Sequence, residues 1–394
     1  MAIASVDVAI IGGAVIGSSV AYHLAQRDDF KGSIAVFEKD PSYQHCASAL
    51  SAASIRQQFS SAVNIDISLY GIDFLRNIGD LLEVDGDKPR IDLVEGGYLF
   101  LATSDKRSIL EENHALQQKM GADIGFLEAD ALKAKFPWLN VSDLSAGCHG
   151  LSGEGWFDGY GLMQAFRRKA RSLNVPYEPY QVVHLEKIMG GSWILTLSNG
   201  EQVEAGVVVN AAGASGGTQI CLEAGFDAPV HSKKRMIFTF ECRDEVPGLP
   251  LLIDPNGTYV RPEGTGFICG SSPDEEQDPD CYDYDVDYSF FEEHLWPTLA
   301  NRVPAFEAIK PGAAWAGHYD VNLFDHNAFM GPVPGIEDFY IALGFSGHGL
   351  QQSPAVGRAL AEHIVTGGYE TLDLSELGVD RLAANKPLIE RNVV

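Results

Sequence analysis

The sequence predicts a two-domain α/β protein, in which a parallel sheet forms the first domain and a mainly antiparallel sheet the second, α+β domain. Three observations support this prediction. A strand, a glycine-rich turn, a helix and a second strand follow one another in residues 6–37. Strand-like and helical patterns then alternate to the end of the chain. Finally, 394 residues with 45% hydrophobic content exceed what one ordinary core holds.

Each predicted domain is built from separate stretches of the chain. Strand and helix patterns typical of a parallel sheet open the sequence and recur near residues 158–222 and after residue 322. Strand-rich runs with an acidic loop at residues 274–287 fill much of the remainder. We therefore assign residues 1–88, 150–222 and 322–394 to the first domain, and residues 89–149 and 223–321 to the second.

The N-terminal turn has the form that a dinucleotide requires. Residues 12–17 read GGAVIG, so Ala14 stands where the GxGxxG pattern has its middle glycine. An alanine is tolerated there if its φ is negative. Glu38 follows the second strand, where a carboxylate accepts bonds from both ribose hydroxyls and repels a 2′-phosphate. The unit predicts a Rossmann-type dinucleotide-binding domain that disfavours NADP.

Composition excludes several classes of partner. The formal net charge of −26 repels nucleic acid and anionic membranes. The six cysteines show no CxxC spacing, which argues against a zinc site and a disulfide framework and favours a reducing cytoplasm. The longest apolar stretch, residues 8–25, contains three glycines, so neither a membrane span nor a signal peptide is expected. No metal is expected, and the oligomeric state stays open.

Four further segments carry a family resemblance. They are residues 48–60 (SALSAASIRQQFS), 207–215 (VVVNAAGAS), 315–331 (WAGHYDVNLFDHNAFMG) and 344–357 (GFSGHGLQQSPAVG). Together with the N-terminal motif, they resemble the D-amino acid oxidase superfamily, in the branch of sarcosine oxidase, glycine oxidase and D-arginine dehydrogenase. The resemblance implies FAD and oxidation of a small amine or amino acid. It also implies hydride transfer to flavin N5, giving an imine that water hydrolyses.

The motif and the family-like segments together predict the FAD-binding residues. A helix at residues 354–364, capped by Ser353, is expected to aim backbone donors at the flavin N1–C2=O edge. The family's covalent attachment points, a cysteine near Gly317 and a histidine in residues 48–54, are missing, so FAD is expected to be noncovalent, although His45 lies only slightly early. The predicted FAD ligands are Gly12, Gly13, Ala14, Val15, Ile16, Gly17, Glu38, Lys39, Ser48, Ser51, Ala52, Ala53, Ala211, Gly213, Gly344, Ser346, Gly347, His348, Gly349, Leu350 and Gln351.

The resemblance also provides candidates for the chemistry. Arg56 falls where sarcosine oxidase-like members bind a substrate carboxylate; an ion pair or a flavin-phosphate contact is its alternative role. His318 and Tyr319 are expected to meet substrate, whereas His348 either binds FAD or supports its loop. Tyr259 is expected on a strand facing the flavin, with core packing as the alternative. The same expectation covers Arg235 and Arg261, and a surface ion pair is the alternative role for Arg261.

The electron acceptor and the reaction class leave alternatives open. Gln351 replaces a lysine that sarcosine-type oxidases carry, which favours a dehydrogenase that reduces a quinone or carrier and uses oxygen slowly. A second hypothesis is oxidation of a 2-hydroxy acid or polyol, because the same fold supports C–O chemistry. A third is an assembly factor that holds FAD as a structural element.

Overall fold

Two eight-stranded sheets and a short two-stranded sheet organise residues 4–391, the part of the chain that the computed structural model describes. The strands are β1 (Ser5–Ile11), β2 (Ile34–Phe37), β3 (Ser54–Ile55), β4 (Tyr98–Ala102), β5 (Ile124–Glu128), β6 (Ala146–Gly150), β7 (Gly155–Trp156), β8 (Tyr177–Glu178), β9 (Val182–Lys187), β10 (Trp193–Leu197), β11 (Gln202–Asn210), β12 (Val230–Cys242), β13 (Leu251–Ile253), β14 (Tyr259–Glu263), β15 (Gly266–Gly270), β16 (Ile309–Asn322), β17 (Phe329–Pro332) and β18 (Phe339–Leu343). The helices are α1 (Val15–Ala25), α2 (Ala47–Leu50), α3 (Ala62–Arg76), α4 (Ile78–Leu81), α5 (Arg107–Met120), α6 (Ala129–Lys135), α7 (Gly159–Ser172), α8 (Gly217–Glu223), α9 (Tyr288–Phe290), α10 (Trp296–Arg302), α11 (Gly349–Thr366) and α12 (Asp380–Ala383).

The first large sheet has the parallel core that the N-terminal pattern predicts. Its strands run in the order β17-β18-β11-β1-β2-β8, and β9 and β10 extend it beside β11. Strand β1 pairs in parallel with both β2 and β11, and β11 pairs in parallel with β18. Helix α1 packs against α7 and α11 over one face of this sheet. Apolar side chains therefore cover both faces, as a parallel sheet requires.

The second large sheet has the order β16-β12-β15-β14-β13-β4-β6-β5. Every pairing in it is antiparallel except that of β13 with β4. The long strands β12 and β16 form its edge nearest the nucleotide domain, with Arg235 opposite Gly317 and Lys234 opposite His318. This architecture confirms the predicted fold class. We retain the predicted domain limits as a proposal.

Helix α11 begins earlier than the sequence pattern predicts. We expected Ser353 to cap a helix starting at Pro354, but the helix starts at Gly349, with His348 as its N-cap. Pro354 lies inside it and cannot donate to the carbonyl of Leu350. The Ser353 hydroxyl donates to that carbonyl instead, over 2.9 Å. The prediction was wrong because this serine compensates for a proline within the second turn rather than capping the helix.

Helices α3 and α4 follow each other closely, with Asn77 between them. The side-chain amide of Asn77 donates to the carbonyl of Asp73 over 2.8 Å. Helices α1 and α11 approach closely at Gly357, where an added Cβ would lie 2.1 Å from Ser19 Oγ. Among the helices of residues 4–391, none is long and apolar enough to cross a membrane.

Candidate active site

A cleft of about 640 Å³ runs between the two large sheets. The N-terminal ends of α1 and α11 border it from one side, and β16 and the segment after β11 border it from the other. It therefore lies beyond the carboxyl ends of the parallel strands, where ligands bind in open α/β sheets. The predicted FAD ligands that line it are Gly12, Ala14, Val15, Ile16, Glu38, Lys39, Ser48, Ser51, Ala211, Gly213, Gly347, Gly349 and Leu350.

The glycine turn leaves no room for side chains at its two ends. Gly12 has a φ of +99°, and a Cβ there would lie 2.4 Å from the carbonyl oxygen of Ala211. A Cβ on Gly17 would lie 1.9 Å from the carbonyl oxygen of Gly12. Ala14 has a φ of −72°, which any residue adopts. Because φ is negative at this position, the turn accommodates an alanine there.

Helix α1 presents backbone donors to this cleft. Its N-cap, Ala14, has no side chain that could cap it. Within the described residues the amides of Ala14 and Ile16 have no acceptor, and the amide of Val15 has only a long contact of 3.4 Å to Ser48 Oγ. Such amides, with the positive end of the helix dipole, bind a pyrophosphate.

The second strand ends in the predicted acid. The Glu38 carboxylate accepts bonds of 2.8 Å from the amides of Gly13 and Asp40, which fix its position at the edge of the cleft. A carboxylate has four lone-pair sites, so two remain for ribose hydroxyls. Lys39 donates to the carbonyl of Ser215 over 2.9 Å and joins the two loops at this end.

Helix α11 and its loop form the opposite end of the cleft. Gly347 has a φ of +96°, and a Cβ there would lie 2.4 Å from the Tyr319 ring. The buried Asp320 carboxylate accepts a 2.8 Å bond from the amide of Gly344 and so holds the loop. Burial raises the pKa of Asp320 to about 6. Sequence reasoning missed Asp320, although it directly follows two candidate residues.

A second cavity of about 160 Å³ borders this end and shares four lining residues with the cleft, Ala47, Ser51, His318 and Tyr319. It also contains Tyr259 from β14 and Arg235 from β12. Its apolar lining includes Leu50, Met236 and Ile237. A cavity of about 150 Å³ accommodates a molecule the size of benzene, so this one suits a small substrate or one end of a larger one.

His318 has a defined hydrogen-bonding state. Its Nε2 lies 2.7 Å from the carbonyl oxygen of Asp283, which only accepts, so Nε2 carries the proton and Nδ1 is the free acceptor. Burial is the largest effect on the His318 pKa and lowers it, which keeps the ring neutral. Tyr284 packs its ring 4.5 Å from His318 and 4.8 Å from His45. Tyr284 and Asp283 lie in the acidic loop, and no sequence motif marked them.

The two tyrosines of the cavity have unpaired phenols. Neither Tyr259 nor Tyr319 forms a side-chain hydrogen bond with any described residue, although both line the cavity. Burial raises the pKa of each phenol above its ordinary value, so both stay protonated at neutral pH. The arrangement offers a bound molecule two neutral donors, one neutral imidazole and one guanidinium.

Comparison with known proteins agrees with this geometry. Residues 7–363 match the family described as DAO, FAD dependent oxidoreductase. The chain is 42% identical to the FAD-dependent oxidoreductase domain-containing protein 1 of Xenopus laevis, over 98% of this chain and 85% of that protein.

The chain belongs to the DAO family of FAD-dependent oxidoreductases. FAD is accordingly its cofactor, and the turn, the helix donors and Glu38 fit it. More distantly, the chain is 26% identical to mitochondrial dimethylglycine dehydrogenase of Rattus norvegicus, over 95% of this chain and 44% of that protein. The solved L-proline dehydrogenase of P. horikoshii shares the fold, with a TM-score of 0.85 and 24% identity over 98% of this chain and all of that one.

Arg56 does not lie where the family resemblance implied. Within the described structure it lines neither the cleft nor the second cavity. Its guanidinium is buried, donates to the carbonyl of Gln58, lies 3.1 Å from His348 Nε2 and stacks 3.9 Å from the Phe59 ring centre. No described carboxylate forms an ion pair with it. This geometry gives no support to direct contact between Arg56 and a substrate carboxylate.

His348 and Gln351 belong to the same buried group rather than to the cavity lining. The Gln351 side chain accepts the backbone N–H of Arg56 over 2.8 Å. Burial and the neighbouring guanidinium lower the pKa of His348 to about 3, so the ring is a neutral acceptor. Of the two predicted roles of His348, the structure favours support of the loop. An effect of Gln351 on oxygen use would have to act through Arg56.

Other predicted site residues form hydrogen bonds that hold the loops bordering the cleft. Arg261 donates to the carbonyl of Ala52 over 2.6 Å and ties β14 to the loop before β3. Ser346 accepts the amide of Asn322 with its hydroxyl over 3.1 Å. The predicted ligands absent from the cleft lining of the described chain are Gly13, Gly17, Ala52, Ala53, Gly344, Ser346, His348 and Gln351.

Proposed function

We propose that this DAO-family protein oxidises the carbon–nitrogen bond of a small amine or amino acid. The observation that carries the proposal is the second cavity, which adjoins the cofactor cleft and shares His318 and Tyr319 with it. A molecule in that cavity lies against the same residues that border the flavin end of the cleft. Its small volume favours a small substrate.

His318 supplies the group that such a reaction needs first. An ammonium has no lone pair and must lose a proton before its neighbouring carbon is oxidised. The unprotonated Nδ1 of His318 accepts that proton, and its Nε2–H···O=C bond to Asp283 keeps the ring oriented. The phenols of Tyr259 and Tyr319 donate to the substrate and exclude water with the apolar walls.

FAD, held by the glycine turn and the backbone donors of α1, would accept a hydride from the carbon that bears the nitrogen. With the proton lost from nitrogen, this leaves an imine, which water would hydrolyse to a carbonyl compound and an amine or ammonia. Two named relatives support the amine class. The names dimethylglycine dehydrogenase and L-proline dehydrogenase each specify an amino acid as the compound oxidised. These names support an amine or amino acid as the substrate class of this chain.

Further parts of the proposal concern the cofactor and the setting. We propose noncovalent FAD, because Gly317 has no side chain that could attach it. His45 lines the cleft but packs against Tyr284. A reducing compartment such as the cytoplasm is supported by the six free cysteines. We also propose a dehydrogenase that passes its electrons to a quinone or carrier, with oxygen as a slow acceptor.

The test is anaerobic mixing of the purified yellow protein with a panel of small amines, D- and L-amino acids and N-methylated amino acids. The proposal predicts loss of the oxidised flavin absorbance with at least one of them. Matched 2-hydroxy acids and polyols form the comparison arm. Loss of the flavin absorbance with hydroxy acids alone would show that the protein oxidises C–O bonds instead. Retention of colour with every compound, in protein that dithionite reduces normally, would favour a structural role for FAD.

A further inference from the structure

Arg235 is the only guanidinium among the described residues lining the second cavity. It extends from β12 opposite Gly317, and its side chain is 14% exposed. The guanidinium lies 5.6 Å from the Tyr319 ring centre. A partly buried guanidinium in a cavity that two phenols and a neutral imidazole also line is a suitable partner for a substrate carboxylate.

The fork of this guanidinium is already occupied. Asp278, from the acidic loop, contacts Arg235 through two parallel bonds, from Nη1 to Oδ1 over 2.9 Å and from Nη2 to Oδ2 over 2.8 Å. Asp278 is itself only 12% exposed. The paired geometry is the one that a substrate carboxylate would form. The Nε of Arg235 is buried and has no hydrogen-bond partner. This single N–H cannot replace the two parallel bonds that Asp278 occupies.

The backbone beside Asp278 is held independently of this pair. Lys233 donates to the Asp278 carbonyl over 2.5 Å and forms a 3.0 Å ion pair with Asp280. The amide of Cys281 donates to the carbonyl of Ser232 over 2.9 Å, and the Ser232 hydroxyl donates back to the Cys281 carbonyl. Rotation of the Asp278 side chain would therefore free Arg235 without opening the loop.

We propose that Asp278 is an internal competitor for the substrate carboxylate at Arg235, and that it sets the selectivity of the cavity between amino acids and simple amines. The proposal rests on the proposed function, because it takes this cavity as the substrate pocket. A tethered carboxylate acts at a high effective concentration, so a free carboxylate displaces it at a cost in affinity. An amine without a carboxylate leaves the pair intact and avoids that cost.

The test measures binding rather than turnover. Holoprotein is titrated with propionate and with its uncharged counterpart propionamide, using calorimetry and flavin absorbance. The proposal predicts that Asp278→Asn lowers the dissociation constant of propionate by about tenfold or more, because the charged hydrogen bonds become available. Propionamide should bind both proteins alike. Asp280→Asn is the matched control, since Asp280 lies in the same loop but pairs with Lys233, and it should match the wild type.

Two further variants make the result decisive. Adding Arg235→Met to Asp278→Asn should abolish the gain, and Asp278→Ser should reproduce the gain without a carboxamide. FAD content and thermal midpoint report whether each variant is folded. Unchanged propionate affinity in both Asp278 variants, or a gain that survives loss of Arg235, would overturn the proposal. A gain that depends on Arg235 in a protein that no amine bleaches would instead reject only the proposed reaction.

Discussion

The nucleotide end of the cleft and the cavity at its flavin end are built from different kinds of atoms. At the nucleotide end, the backbone of Gly12, Ala14 and Gly17 fixes the shape, and the available donors are main-chain amides. In the cavity, side chains such as Arg235 and His318 supply the chemistry from separate strands. The nucleotide end therefore tolerates almost no added volume, whereas single substitutions can change the side chains that line the cavity.

The largest expected effect comes from adding volume at the nucleotide end. Gly17→Val places carbon atoms against the carbonyl of Gly12, where an added Cβ would already be 1.9 Å away. Overpacking of this kind costs about 1–3 kcal/mol or more, which corresponds to about a 5- to 150-fold loss of FAD affinity. The FAD-to-protein ratio after purification and dialysis measures it. Gly368→Ala is the control, because nothing lies within 4 Å of its added Cβ. Full FAD content in Gly17→Val would contradict this account of the turn.

The next effect concerns the cavity. His318→Asn removes the proposed proton acceptor and should slow anaerobic flavin reduction about 100-fold, within the usual range for a general base. In the wild type, a protonated His318 cannot accept, so the rate should rise with pH through a pKa below its ordinary value of 6.5. In the His318→Asn variant, the rate should no longer fall at low pH, and the FAD content should be unchanged. His184→Asn, on the exposed surface, is the control. If the rate of flavin reduction by His318→Asn still fell at low pH, a group other than His318 would be responsible for the pH dependence.

The buried Arg56 and the partly buried Arg235 allow a direct contrast. Arg235→Met should raise KM for a carboxylate-bearing substrate about tenfold or more, because charge-assisted hydrogen bonds contribute about 1.5–3 kcal/mol. Arg56→Met should change that KM by less than about threefold, since Arg56 lies outside both cavities in the described structure. It should instead lower the thermal midpoint by removing donors to Gln58 and His348. The reverse order of KM effects would restore the role first predicted for Arg56.

The smallest expected effect tests the acceptor side. Gln351→Lys should change the rate at which oxygen reoxidises dithionite-reduced protein by less than about threefold. The reason is that Gln351 faces the backbone of Arg56 and lines neither cavity of the described chain. Stopped-flow reoxidation measures the rate, and FAD content checks integrity. A large acceleration would mean that a charge at this position reaches the flavin, as the sequence comparison implied.

The sequence sufficed for the nucleotide end because its requirements are local. Six consecutive residues form the turn, and the positive φ at Gly12 and the negative φ at Ala14 are values that these residue types adopt readily. The acid after the second strand follows from the same unit. The parallel and antiparallel sheets were also predictable, because strand patterning depends on neighbours along the chain.

The cavity was only partly predictable because it depends on distant contacts. Tyr259, His318 and Tyr319 were identified individually, but only the pairing of β12 with β16 brings Arg235 beside them. The sequence identified residues 274–287 only as an acidic loop, yet Asp278 and Asp283 contact Arg235 and His318. The position of the Arg56 guanidinium outside both cavities was not predictable, because a family position defines a place along the chain, while the direction of the side chain depends on packing against Phe59.

A structure of the FAD-bound protein with an unreactive analogue of the best amine found by the panel would show directly whether the second cavity is the substrate site. We expect the analogue in that cavity, with its nitrogen about 3 Å from Nδ1 of His318. A carboxylate on the analogue would contact Arg235, with the Asp278 side chain rotated away. An analogue bound against Arg56, or outside the second cavity, would show that the substrate binds elsewhere.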